Sequence, residues 1–76
     1  MDAITVALMK DPVDRTVFYR ARELGSGAAA DSDHVPGIRE GDVHKASALA
    51  AQAVARLGER LETQAVADRR RLGARA

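Results

Sequence analysis

The chain has no cysteine, no tryptophan and no asparagine, and only one phenylalanine and one tyrosine, Phe18 and Tyr19. Without cysteine, neither a disulfide nor a thiolate zinc site can staple the fold. Without asparagine there is no acceptor for N-glycosylation. The near-lack of aromatic rings removes the platforms on which single-stranded bases stack. It also removes the Trp and Phe anchors of helices that lie on membranes. Large aliphatic residues are scarce too. Of 35 hydrophobic residues, 16 are Ala, and Ile, Leu, Val and Phe together number only 16 of 76, about 21%. That is just above the composition of disordered chains. A chain of 76 residues holds one small domain, and domains of this size bury too little surface to be more than marginally stable alone.

No long apolar run is present. The longest, Ala3 to Met9, is interrupted by Thr5 and falls far short of the ~20 residues that span a bilayer. Asp2 stands where a secretory signal carries Lys or Arg. The protein is therefore expected to be neither transmembrane nor secreted, and to work in the cytoplasm or within a virion or other particle. Met1 at the start, with no tag sequence, leads us to expect a complete gene product. Abundant Ala, and Arg at ten of the twelve basic positions, suit a small component of a high-GC bacterium or its phage.

The net charge of +1 hides a polarity. Residues 1–42 carry five basic and eight acidic side chains, whereas residues 43–76 carry seven basic and three acidic. Such a chain is suited to meet copies of itself, or to lay a basic end on an acidic partner.

Three segments and a short tail are legible. In residues 1–24, Ile4, Val6 and Leu8 alternate with Thr5, Ala7 and Met9, the period of a strand. Lys10 to Asp14, with Pro12 between two aspartates, reads as a turn. Arg15 to Ala21 is β-branched and aromatic, so a hairpin of 3–9 with 15–22 follows. The competing pattern is a helix over 13–24, capped by Asp14 and ended by Gly25, with Val17, Phe18, Ala21 and Leu24 on one face. Residues 25–42 are rich in Gly, Ala and Asp and read as a linker or strap without periodicity. A structureless loop of that length does not suit a compact domain. Residues 43–72 read as a long amphipathic helix: Asp42 caps it, and no Pro follows. From Val43 to about Arg71 it makes a rod roughly 43 Å long. Gly73 is placed just past its end, in a tail over 73–76. The expected fold is thus small α+β: an N-terminal hairpin or short helix, an extended loop and a long C-terminal helix.

The helix has an apolar stripe through Val43, Ala46, Ala50, Val54, Leu57, Leu61 and Ala65. Heptad spacing fails at Gln64 and Asp68, so the stripe is not a sustained coiled coil. A short hairpin covers only part of such a rod. The stripe is therefore expected to meet a copy of the chain or a larger assembly. Ala50, Val54, Leu57 and Leu61 supply the interface, and Val17, Phe18 and Tyr19 add a second docking point.

Chemistry is thin by comparison. Asp31, Asp33 and His34, with Glu40, Asp42 and His44 nearby, are the obvious oxygen and imidazole donors. Read as a calcium loop from Asp31, the position that requires Gly holds Pro36, and the register fails. No nucleophile elbow and no phosphate-binding Gly-rich loop is present, so no enzyme activity, metal or cofactor is expected. The chief expectation is a non-catalytic structural or assembly protein. The alternative is a small nucleic-acid-binding regulator that uses Arg56, Arg60, Arg69, Arg70 and Arg71 on the helix.

Overall fold

The computed structural model describes residues 3–74. Residues 1–2 of the N-terminal segment and 75–76 of the tail lie outside the described residues. Three strands and one helix follow in chain order: β1 (Ile4–Lys10), β2 (Val17–Glu23), β3 (Ala29–Asp31) and α1 (Val43–Ala74). The strands form one antiparallel sheet in the order β1-β2-β3, and the fold is a small α+β.

The hairpin prevails over the helix that competed for residues 13–24. β1 and β2 pair from Ile4 opposite Glu23 to Lys10 opposite Val17. The turn between them is built by its aspartates. Asp11 accepts from the Val13 amide at 2.8 Å, and Asp14 accepts from the Thr16 amide at 2.9 Å. Two backbone bonds close the turn, from Asp11 N to Thr16 O at 2.9 Å and from Arg15 N to Asp11 O at 3.0 Å. Arg15 is left at φ 64°, in the left-handed region. Side-chain acceptors of this kind compete with helical bonding, and here they win.

The stretch over 25–42 is not a structureless strap. Gly27, at φ 75°, turns the chain back, and Ala29–Asp31 adds the third strand opposite Arg22, Ala21 and Arg20. Ser32 continues the ladder, its amide donating to Tyr19 O at 2.8 Å and its hydroxyl accepting from Tyr19 N at 2.9 Å. The register then slips by one residue, and Val35 pairs with Val17 through two backbone bonds of 2.8 and 2.9 Å. This is a bulge whose unmatched backbone donor is satisfied by a side chain, which is why Ser32 is buried.

The helix begins where expected, with Ala46 N donating to Asp42 O at 2.9 Å. The Asp42 carboxylate does not cap α1. It turns back to accept from Arg39 N at 3.2 Å. Gly73 lies inside the helix rather than just past it, so α1 runs two residues beyond the expected end.

The core is small and lies where α1 crosses β2 and β3. Ala21, Ala53 and Leu57 are fully buried, with Tyr19, Ala28, Ala30 and Leu61 packed around them. Alanine on both sides brings the helix close to the sheet, and Leu57 fills the space beside them. On the opposite face, Phe18 is buried beneath the His34 ring, stacked at 4.2 Å, with the Arg20 guanidinium 5.4 Å from its centroid. From Glu62 to Gly73 every residue is exposed, so the second half of α1 projects past the sheet. The radius of gyration is 15.4 Å. A compact domain of 76 residues has about 11 Å.

Candidate protein interface

The helix crosses the sheet over β2 and β3 and barely reaches β1. Its flank is tied to β3 and to Asp33 just beyond it by three polar side chains. Arg60 donates to Ala29 O at 2.6 Å, and Arg56 donates to Asp31 O at 3.0 Å and to the Asp33 carboxylate at 2.8 Å. Gln52 accepts from Asp33 N at 2.7 Å and donates to its carboxylate at 3.3 Å. These bonds to Arg56, then Gln52, hold the Asp33 carboxyl below the usual carboxylate range. Arg20 does the same for Asp31 through a pair of bonds at 2.8 and 3.2 Å.

Displacing α1 toward β3 leaves β1 uncovered. Val6 pairs opposite the buried Ala21 and Leu8 opposite Tyr19, so Ile4, Val6 and Leu8 share the face on which α1 sits. They remain 43%, 41% and 52% exposed. At 100° per residue, Ala50, Val54 and Leu61 occupy the flank of α1 turned away from Arg56, toward β1. Val54 is 38% exposed and Leu61 half-buried. The result is an open apolar wedge between β1 and α1.

The two sheet edges differ. At β3, the outward carbonyls of Ala29 and Asp31 are occupied by Arg60 and Arg56. At β1, the flanking bonds Leu24 N to Ala3 O and Asp11 N to Thr16 O show that odd-numbered residues bond to β2. The backbone N–H and C=O of Ile4, Val6, Leu8 and Lys10 therefore point outward, with no partner among the described residues.

The interface residues expected from the sequence divide accordingly. Val54 is open, with Ala50 and Leu61 half-buried beside it. Leu57 is taken into the chain's own core and Phe18 is buried under His34 on the other face, so neither offers surface while the chain stays folded. Tyr19 packs on that core, and Val17 is held by Val35. Of the arginines, Arg56 and Arg60 fasten β3. Arg69 and Arg70 are exposed, and Arg71 is paired with Asp68 at 2.6 Å. Ile4, Val6 and Leu8 did not figure as interface residues. Their alternation was plain, but the position of α1 was not.

The carboxylates and imidazoles gather elsewhere than expected. Asp31 and Asp33 face Arg20 and Arg56, whereas Asp11, Asp14 and His34 bring ligand-type atoms within 4.8 Å of one another. Turn bonds account for that group. Asp11 holds two turn amides, and Thr16 bridges Asp14 and His34 Nδ1.

Comparison of the chain with known protein families, with curated proteins and with solved structures finds no match. The fold defines a small α+β protein. Among the described residues, no helix is long and apolar enough to cross a membrane.

Proposed function

We propose that the chain is a non-catalytic assembly protein that associates with a second copy of itself through the wedge between β1 and α1. The observation that carries this reading is the row Ile4, Val6 and Leu8, left open on the face of the sheet that elsewhere forms the core. Each is near half-exposed, so covering what remains contributes about 1 kcal/mol per residue. Two copies contribute six such residues, with Val54 on either flank. The reading differs from the sequence expectation in the part the helix plays. Leu57 stays at home, and α1 lends only its flank.

The test is the mass in solution across a dilution series from near-millimolar to low micromolar, by sedimentation velocity or light scattering. A particle of twice 8.1 kDa that dissociates on dilution is expected. Val6→Asp should leave the far-ultraviolet circular dichroism intact and give a monomer, since it places an unpaired charge in the interface. A wild-type chain that stays monomeric at the highest concentration overturns the reading.

A second reading, binding of nucleic acid, is favoured by one feature. Arg20, Arg22, Arg56 and Arg60 line a single cleft of about 480 Å3, with Asp31 the one acidic side chain among its lining residues. Its test is fluorescence anisotropy with labelled DNA and RNA oligonucleotides at low salt. Binding that weakens as salt rises, and that Arg22→Ala reduces, supports it. Absence of binding removes it.

A further inference from the structure

We infer that the second copy docks strand to strand, with β1 of each chain antiparallel to β1 of the other and the two-fold axis at Val6. This rests on the self-association proposed above and adds the partner segment and its register. The joined sheets form one sheet of six strands with both helices on the same face.

The edges decide which strand is used. Soluble proteins protect sheet edges with prolines, charges or covering side chains. β3 is protected by Arg56 and Arg60 on its outward carbonyls. β1 has no proline, and its only charge is Lys10 at the end. Pairing of β1 with β3 of another copy would have to displace these bonds and is therefore disfavoured. A β1-to-β1 contact is isologous and closes at two chains rather than growing into a ribbon.

The side chains decide the register. Outward backbone groups belong to even-numbered residues, so an antiparallel pair of β1 strands can centre on Thr5, Val6 or Ala7. Centring on Ala7 sets Ile4 against Lys10. Centring on Thr5 leaves Leu8 with no residue of the apolar row opposite it. Only the register centred on Val6 places Ile4 against Leu8 and Val6 against Val6, so that every apolar residue of the row meets another. On the other face it sets Thr5 against Ala7 and opposes no charges.

The surface area is also in excess of what a lone chain needs. A compact folded protein of 8.1 kDa exposes about 4,500 Å2. This chain exposes 5754 Å2. The surplus, roughly 1,250 Å2, is larger than the ~800 Å2 that each partner contributes to an interface of standard size. The open half of the sheet and the projecting end of α1 share it.

The test uses the full chain, which has no cysteine of its own. In the proposed register the two Val6 Cα atoms form a hydrogen-bonded pair about 5.5 Å apart, within the range a disulfide bridges. Val6→Cys should oxidise to a covalent dimer in high yield. Ile4→Cys and Leu8→Cys should each cross-link poorly alone, yet form a mixed dimer readily when combined. Leu72→Cys, on the projecting helix, is the background control. Cross-linking of Val6→Cys at the control level, while the wild-type chain still sediments as a dimer, overturns the strand pairing and leaves self-association standing. A monomeric wild-type chain overturns both. Cross-linking that is strongest for Ile4→Cys or Leu8→Cys alone overturns the register.

Discussion

Arg60 donates to the backbone carbonyl of Ala29 across 2.6 Å, and the bond joins the helix flank to the outer edge of the sheet. Arg56, one turn earlier, repeats the contact at Asp31 O. The pair has two consequences. It fixes α1 over β2 and β3, which brings Ala53 and Leu57 onto Ala21. It also occupies the outward carbonyls of β3, while β1, beyond the reach of either side chain, stays open.

Removing both guanidinium groups should therefore do more than loosen the helix. Arg56→Ala with Arg60→Ala deletes three hydrogen bonds from charged donors, all exposed, and is expected to cost about 1–3 kcal/mol in all. It also frees two edge carbonyls to pair with another strand. Urea unfolding should show the lost stability. Light scattering should show species larger than a dimer, where the wild-type chain should show none.

Two ion pairs beside these bonds, Arg20–Asp31 and Arg56–Asp33, set an acid limit. Asp31 and Asp33 have carboxyl pKa values lowered in the folded chain, by Arg20 and Arg56 respectively. A carboxyl whose folded pKa lies below its unfolded value, near 3.9, contributes stability that is present above about pH 4. The contribution is lost as pH falls through the folded pKa. Docking of α1 through Asp33, and the β2–β3 pairing through Asp31, should accordingly weaken on acidification below about pH 4. Asp31→Asn and Asp33→Asn should each lower stability at neutral pH and flatten the acid limb. Thermal melts followed by circular dichroism between neutral pH and about pH 2 read both effects.

Leu57 and Val54 sit three residues apart on the stripe, and their responses to truncation should differ. Leu57 is fully enclosed, so Leu57→Ala is expected to cost about 2–5 kcal/mol, enough to threaten folding in so small a domain. Val54 is exposed at 38%, and Ala is the better helix former. Val54→Ala should change the stability of the monomer by less than about 0.5 kcal/mol while weakening self-association. Equal losses of monomer stability at both positions would contradict the placement of α1.

These contrasts also mark how far the sequence could be read. The 3.6-residue stripe identified the helix, and the two-residue alternation of Ile4, Val6 and Leu8 identified the first strand, because both periods are local. The hairpin was legible from Pro12 between Asp11 and Asp14, although Val17, Phe18, Ala21 and Leu24 also fitted a helix face. The third strand was not legible. Ala28, Ala29 and Ala30 have low strand propensity, and what holds them is non-local: the open side of β2, the Ser32 hydroxyl on Tyr19 and the arginines of α1. The candidate interface was half legible for the same reason. An apolar stripe announces that it will be covered without saying by what. Here the chain's own sheet takes Leu57, and the row on β1 is left open instead.

The hairpin turn offers a separate test, independent of any partner. Arg15 is the one non-glycine residue with positive φ among those described, at 64°. A side chain there costs about 1–2 kcal/mol relative to the right-handed region, since Cβ crowds the following carbonyl. Glycine escapes that cost but loses about 0.4–1 kcal/mol through the freedom it adds to the unfolded chain. The difference favours Arg15→Gly by roughly 0.5–1 kcal/mol, because Arg15 makes no side-chain contact that the turn requires. Arg15→Val, branched at Cβ, should move stability the opposite way. Chemical denaturation of the two variants beside the wild type orders all three. Glycine above arginine above valine is the expected sequence, and a valine variant as stable as glycine would show that the turn does not hold this residue in the left-handed region.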